Sequence, residues 1–367
     1  MQTILLAMLK IAWFVSPHGF GHAARASAVM DEVFRLRPDS VFEVFTTVPE
    51  WFFSASLAAP FHYHLSPCDV GLVQRSALEE DIEATVDRLN DVDLLAEDTV
   101  DALAEKVLNL GCRAVVADIA PQGLAVARAA GLPSILVENF TWDWIYRAYA
   151  SRRPSISLWI EKFEQVFSQC DLRIQAEPWC RPVEGAVQVA PISRRPREDR
   201  QTIRTQLGIE DGQAMLLVSM GGIPWQFSGL ERAAEAEGVT IVIPGGGTTQ
   251  TQSGSLIVLP HHSRFHHPDL VHAADGVLAK LGYSTVAEVW SAGCSLGWIG
   301  RSTFPESEEM AQWVHRNLGG TEISQDELTE GSWIERLEEI LCSTGPTGPR
   351  IGGTPAAAAA VLDICEK

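Results

Sequence analysis

The chain has 367 residues, of which 46% are hydrophobic and 20% charged. That length predicts about two domains and that composition a large buried core, which excludes disordered, collagen-like and fibrous proteins. Lys and Arg number 28 against 47 Asp and Glu, a net charge of −19, so no nucleic-acid partner is expected. A phosphate-bearing small ligand stays admissible, because a few N–H groups at a helix start suffice to hold one.

The seven cysteines (Cys68, Cys112, Cys170, Cys180, Cys294, Cys342 and Cys365) are odd in number, widely spaced and free of C-x-x-C. They predict free thiols in a reducing cytoplasm rather than disulfides or a zinc ribbon. Residues 1–15 are apolar but lack a basic start and a small-residue cleavage site, and they carry Lys10, so they are not read as a signal peptide. Lys10–Val15 is the first predicted strand. The residues before it are read as extra length from an early start, with Met8 as an alternative start. No other stretch offers ~20 apolar residues, so no transmembrane segment is predicted.

In chain order, "KIAWFVS" reads as a strand and is followed by a Gly- and His-bearing turn. "AARASAVMDEVFRLRP" is a helix stopped by Pro38, and "VFEVFTT" a second strand. Asp87 to Leu110 reads as one long amphipathic helix. "RAVVADI" is a strand, "QGLAVARAAG" a helix ended by Gly131, and "PSILVEN" a strand. This rhythm implies right-handed crossovers and a parallel sheet covered on both faces. "VQVAPISRRPREDRQ", with prolines and four arginines, is a linker signature. A second α/β rhythm follows. "QAMLLVSMGG" and "VTIVIPGGG" are strands ending in glycine turns, "DGVLAKLGYSTVAEVWSAGC" is strand, turn and helix, and "SLGWIGR" is a strand. "STGPTGPRIGGT" is a loop, after which Thr354 as N-cap and Pro355 at the first helical position start an Ala-rich helix. The predicted organisation is a first domain at 1–192, a linker at 193–200, a second domain at 201–345, and a loop with C-terminal helix at 346–367. The fold class is α/β, two Rossmann-like open parallel-sheet domains facing a cleft, with ligands at the C-terminal ends of the strands.

Three glycine turns follow strands. In Pro17-His18-Gly19-Phe20-Gly21-His22, Gly19 and Gly21 let the backbone approach a ligand, and His18 and His22 offer a base or a proton shuttle. A tight turn with solvated histidines is the plainer reading. Ser219-Met220-Gly221-Gly222 opens the second domain and would bring backbone amides near a diphosphate, or be a turn and nothing more. In Gly282-Tyr283-Ser284-Thr285, Ser284 or Thr285 would cap the next helix and present its amides to an anion. Glu288 is either a capping-box partner or a carboxylate taking both hydroxyls of a ribose. No G-x-x-x-x-G-K-[ST] occurs in any of the three turns, which disfavours a P-loop kinase.

Two α/β domains, a G-x-G-H turn after the first strand and a G-x-x-T-x-x-E in the second domain resemble the GT-B glycosyltransferases. The last motif is similar to that of the bacterial enzymes that add N-acetylglucosamine to lipid-linked muramyl-peptide. "SPHGFGHAARA", "ALEEDIEATVDRL", "VVADIAPQGLAVARAAGLPSILVENFTWDWIY", "VAPISRRPR", "LLVSMGG" and "LVHAADGVLAKLGYSTVAEVWSAGCSLGWIGR" resemble the glycosyltransferase-like N-terminal half of plant L-arabinokinases. The kinase half has no counterpart, so sugar phosphorylation is not implied. The resemblance implies an acceptor-side first domain and a nucleotide-sugar-binding second domain. It also implies that Gly282, Ser284 and Thr285 meet the donor diphosphate, with Gly221 and Gly222 beside it, Glu288 on the ribose and His22 facing the reacting sugar. Ser284 departs from a glycine common in such loops. After Arg301, Glu308, Glu309 and Gln312 offer the acid/Gln chemistry that holds sugar hydroxyls.

Asp118 ends its strand and would orient His22 or His18, serve as the base itself, or simply cap a turn. Asn139, Trp142 and Asp143 suit a sugar face or a packed aromatic turn. Pro224-Trp225 would cover a base or sugar, or anchor a loop. The run His261, His262, His266, His267 and His272 matches no zinc spacing. Asp269 looks like a helix cap, and no metal is assigned. The expected function is transfer of a sugar from a nucleotide-sugar donor, UDP-sugar favoured, to a small-molecule or lipid-linked acceptor. It is expected to be His-assisted and metal-independent, with no cofactor besides the donor. A nucleotide-sugar hydrolase and a non-catalytic nucleotide or sugar sensor are the alternatives.

Overall fold

The structure is a computed structural model describing residues 8–76, 78–221, 228–260, 262–343, 345 and 350–366. Residues before Met8, together with Gly222, Pro224, Trp225 and His261, lie outside the described residues. The chain divides into two units. The first holds Met1–Val73, Glu80–Ser193 and Gly352–Lys367, the second Gln74–Glu79 and Arg194–Ile351.

The first unit is built on a seven-stranded sheet of order β3-β2-β1-β6-β7-β8-β9, parallel throughout. Its strands are β1 (Leu9–Val15), β2 (Ser40–Thr46), β3 (Phe61–Leu65), β6 (Ala114–Asp118), β7 (Ser134–Glu138), β8 (Leu172–Ala176) and β9 (Val187–Val189). A two-stranded ribbon of β4 (Val73–Gln74) and β5 (Glu80–Asp81) falls between β3 and β6 in sequence. Ile11 to Val15 and Ala114 to Asp118 are fully buried, as continuous apolar runs covered on both faces must be. The helices are α1 (Phe20–Leu36), α2 (Glu50–Ser56), α3 (Ile82–Asp91), α4 (Glu97–Asn109), α5 (Pro121–Ala130), α6 (Trp142–Arg147) and α7 (Ser157–Phe167). On α5, a Cβ at Gly123 would lie 2.6 Å from the Phe14 Cβ, so only glycine lets this helix press on β1. The strand order reverses between β1 and β6, the position where open α/β sheets part their loops to admit a ligand.

The single helix expected over Asp87–Leu110 is two helices, α3 and α4. The Asp93 side chain takes the Leu95 N–H at 3.1 Å and its carbonyl takes the Ala96 N–H at 3.1 Å. This local turn competes with helix continuation, as short polar side chains do.

The second unit repeats the plan with order β12-β13-β11-β10-β14-β15-β16, in which β12 alone is antiparallel to its neighbour. Its strands are β10 (Ala214–Ser219), β11 (Val239–Gly247), β12 (Thr251–Ser253), β13 (Leu256–Pro260), β14 (Gly276–Lys280), β15 (Ser295–Ile299) and β16 (Thr321–Glu322). Its helices are α8 (Arg200–Leu207), α9 (Leu230–Ala234), α10 (His267–Ala273), α11 (Tyr283–Ala292), α12 (Glu306–Asn317), α13 (Gln325–Glu330) and α14 (Leu337–Cys342). The reversal falls between β10 and β14. The glycines of "IPGGG" are not a turn after β11. The strand runs through them with a register shift between Ile243 and Gly247, and a Cβ at Gly246 would meet Val258 at 2.7 Å.

Three boundaries differ from the sequence reading. Arg200 lies inside α8, whose cap Asp199 accepts the Thr202 N–H at 3.0 Å, so the segment read as a linker ends earlier. Asp269 does not cap a helix. It lies in the first turn of α10 and its Oδ1 accepts the Arg197 and Glu198 N–H groups, tying the arginine-rich segment to α10. The C-terminal helix α15 (Thr354–Cys365) belongs to the first unit and packs on α1, and its N-cap is Gly353. Gly353 N–H donates to the Pro191 carbonyl at 3.0 Å and Thr354 Oγ1 to the Ser193 carbonyl at 3.3 Å. Among the described residues no helix is long and apolar enough to cross a membrane.

Candidate functional site

In the first unit the chain turns after β1 through Gly19, whose φ of 78° a side chain would resist. α1 then starts at Phe20, so Gly21 and His22 lie in its first turn rather than in the loop that was expected. His22 is 6% exposed, and its Nδ1 stands 2.9 Å from Oδ1 of Asp118, the fully buried last residue of β6. Burial drives the Asp118 carboxyl toward its neutral form. The Arg25 guanidinium and the His22 hydrogen bond outweigh it and hold Asp118 below the usual carboxylate range. An ionised Asp118 accepts Nδ1–H, which leaves the lone pair on Nε2. Ile119, next along the chain, has a φ of 47°, a strain of roughly 1–3 kcal/mol kept beside this pair.

His18 is half-buried and packs against the loop after β3. Its Nδ1 accepts the Leu72 N–H at 3.4 Å, and its ring forms a T-shaped pair with Trp142, centroids 5.1 Å apart. Asp118 meets His22. Trp142 offers no face to a sugar: it is fully buried, stacks on Tyr146 and donates its indole N–H to Asp69 at 2.9 Å. Asn139 is fully buried and Asp143 is 2% exposed, so this trio forms interior support. Helix α6 begins at Trp142 and turns the indole inward, which is the physical reason. Asp69, which the sequence reading missed, is 6% exposed, and its buried Oδ1 has no hydrogen-bond partner among the described residues. Burial raises it to about 6, against hydrogen bonds from Ser16 and Trp142.

In the second unit, Ser219 ends β10 and Lys280 ends β14, on either side of the strand-order reversal. A Cβ at Gly221 would stand 3.8 Å from the Lys280 Cε, which brings this glycine turn next to the amine. Burial pushes Lys280 down to about 7, helped by Arg301 and opposed by Glu306. α11 starts at Tyr283 with Gly282 as N-cap and no side-chain cap, so neither Ser284 nor Thr285 caps it. Ser284 and Thr285 are its second and third residues, in the turn whose N–H groups lack intrahelical partners. Glu288 is the sixth residue, too far along for a capping box.

The Glu288 carboxylate, 2% exposed, is already engaged. Oε1 accepts a hydrogen bond from Arg194 Nε at 3.0 Å and pairs ionically with Nη2 at 2.9 Å, and Oε2 stands 3.0 Å from His267 Nδ1. These contacts compete with the two ribose hydroxyls that the sequence led one to expect on Glu288. Burial raises its proton affinity, but Arg194 and His267 prevail and hold it at about 2. His267 also reaches Ser219 Oγ at 3.4 Å through Nε2. Of the histidine run, His266 is the N-cap residue of α10 and is held at about 3 by burial and by Arg194 and Arg197. Burial likewise lowers His272. Among the described residues no group of three or more His, Cys, Asp or Glu is placed to hold a metal.

On α12, Glu308 and Gln312 are exposed and Glu309 is half-buried. The acid turned inward is Glu306, which accepts Arg301 Nη2 at 3.3 Å. Arg25, Arg194, Lys280 and Arg301 carried no sequence signal beyond their position near strand ends or helix starts.

No family model matches the chain. L-arabinokinase of Arabidopsis thaliana is 27% identical over 91% of this chain, which spans about a third (32%) of that protein's length. The structure of the spinosyn forosaminyltransferase SpnP covers 98% of this chain and 96% of its own, with a TM-score of 0.62 at 13% identity. A UDP-glucosyltransferase from Polygonum tinctorium capable of glucosylating indoxyl covers 98% and 100%, with a TM-score of 0.60 at 15% identity. MurG of Acinetobacter baumannii covers 97% and 99%, with a TM-score of 0.52 at 15% identity. With its two parallel-sheet units, the chain has the GT-B fold of the glycosyltransferases, as the sequence resemblance implied.

Proposed function

We propose that the protein is a glycosyltransferase that moves a sugar from a nucleoside-diphosphate donor to an acceptor hydroxyl. The observation that carries this reading is the His22–Asp118 pair, 2.9 Å apart at the strand-order reversal of a fold shared with glycosyltransferases. The acceptor O–H gives its proton to His22 Nε2, and its oxygen bonds the anomeric carbon. The bond from that carbon to the diphosphate breaks, and the nucleoside diphosphate leaves. In the second unit the amides at the start of α11 and the Lys280 amine supply positive potential for the departing anion, and Glu288 takes one ribose hydroxyl. A UDP-sugar is the favoured donor, since the names of two similar structures carry UDP. The acceptor is a small or lipid-linked hydroxyl compound, and the reaction takes place in the cytoplasm.

A thermal-shift screen with UDP, GDP, ADP and dTDP tests the donor. A ligand of the folded state raises Tm by mass action, and no shift with any of the four at millimolar concentration rejects the reading. A panel of the matching nucleotide sugars, with and without alcohol acceptors, then separates transfer from hydrolysis. Free sugar released at a catalytic rate without acceptor replaces transfer with hydrolysis. Binding without turnover makes the protein a sensor.

A further inference from the structure

Arg25 stands one turn beyond His22 on α1, is 1% exposed, and has no solvent to share its charge with. Its guanidinium donates to both oxygens of Asp118 and to Asn139. Nε donates to Asp118 Oδ2 at 2.9 Å, Nη2 to Asp118 Oδ1 at 2.6 Å and Nη1 to Asn139 Oδ1 at 2.6 Å. Nη2 lies 3.3 Å from His22 Nδ1. The Asp118 oxygen that His22 uses is therefore held in place by the same guanidinium. Stability alone is a poor reason for such an arrangement, since apolar residues of equal volume often replace buried ion pairs without loss.

We infer that Arg25 is a positioning residue, which fixes the Asp118 carboxylate 2.9 Å from His22 Nδ1 so that the imidazole carries its proton on Nδ1 and presents Nε2 as the base. The catalytic consequence rests on the transfer reading; the tautomer does not. Without the guanidinium, burial governs Asp118, and a neutral carboxyl donates to Nδ1 and leaves the proton on Nε2. The other charged groups facing the pair push the same way. Asp69, from the loop after β3, feels both His22 and Asp118, and Glu138, at the end of β7, feels Arg25 while held by Arg173 and Gln175. Both are buried carboxylates, and once Arg25 is gone they favour proton uptake by the pair. Whether His22 or Asp118 takes that proton, the coupled pair takes it at higher pH.

The test uses the full chain with ¹⁵N-labelled histidine and no sugar present, with His22 assigned by His22→Ala. The parent shows the Nδ1–H tautomer. In Arg25→Gln the proton-uptake midpoint of the pair rises by about one pH unit or more. Arg25→Lys restores the charge but not the fork, so its midpoint returns toward the parent's while kcat falls at least about tenfold. A folded Arg25→Gln with the parental midpoint and tautomer overturns the inference, and so does an Arg25→Lys with parental kcat. If Arg25→Gln does not melt cooperatively, the Lys variant decides. If neither variant folds, Arg25 is scaffold and the inference fails. A shifted midpoint in a protein that transfers no sugar sinks the transfer reading and leaves this one standing.

Discussion

Arg194 and Glu288, distant in sequence, meet at one carboxylate oxygen, which accepts a hydrogen bond from Nε at 3.0 Å and forms an ion pair with Nη2 at 2.9 Å. The other oxygen faces His267 at 3.0 Å. The arginine-rich segment is thereby fastened to α11 at the carboxylate on which a ribose would be read.

The first prediction concerns acid stability. Glu288 is held at about 2 against an ordinary 4.5. A depressed carboxylate stabilises the fold above its unfolded value and loses that contribution as pH falls through the folded value. The window is therefore pH 4.5 down to 2, and the gap corresponds to about 3 kcal/mol. In urea titrations, Glu288→Gln should flatten the loss of stability across that window. An unchanged slope would mean that the pairing is not made. Arg194→Ala, which strands a buried carboxylate beside a single partner, should destabilise at neutral pH by about 3–5 kcal/mol.

The second prediction concerns the base. Asp118→Asn keeps the shape but presents an amide to Nδ1, which disturbs the tautomer, and kcat should fall by about 10³–10⁴. His22→Ala should abolish transfer while the Tm shift given by the bound nucleotide stays within a degree or so of the parent's. Transfer by His22→Ala at the parental rate rejects its role.

What the sequence shows of this arrangement has a physical pattern. Fully buried parallel strands are continuous apolar runs, so β1, β6, β10 and β14 could be read directly, and with them the positions of His22, Asp118, Gly221 and Gly282. The break between α3 and α4 could not, because Asn90, Asp91 and Asp93 look alike as a solvated helix face and as a turn. Arg25 was hidden for a related reason. A guanidinium inside a helix reads as solvent-facing until the reversal between β1 and β6 puts Asp118 beneath it. Glu288 could be read in the sequence as a carboxylate following a glycine turn, but its partners Arg194 and His267 come from two other segments that no local pattern links to it.

The third prediction concerns Lys280, held at about 7 by burial. A nucleoside diphosphate favours the charged amine. Above pH 7 the free protein has lost that charge, so binding must take up a proton. Between pH 7 and 9 the Kd for UDP should therefore weaken by up to about tenfold per pH unit, and Lys280→Met should bind weakly with a flat profile. The same substitution removes a buried cation and should raise Tm of the ligand-free protein below pH 7. A parental pH dependence in Lys280→Met would place the amine away from the phosphates.

The fourth prediction follows from Asp69, raised from 3.8 to about 6 chiefly by burial, its buried Oδ1 without a hydrogen-bond partner among the described residues. For a carboxyl whose folded value is raised, the unfolded chain releases the proton first. Stability is full below pH 3.8 and is lost as pH rises through 6. The gap corresponds to about 3 kcal/mol at neutral pH. Asp69→Asn cannot ionise and keeps an acceptor for the Trp142 indole N–H, so its advantage over the parent should grow from pH 4 to pH 6.5 and then level off. Thermal melts across that range measure it. If the two proteins melt in parallel at every pH, Asp69 is not ionising inside the fold. If the advantage appears and transfer falls, the carboxylate is one that the fold tolerates for the chemistry beside His22.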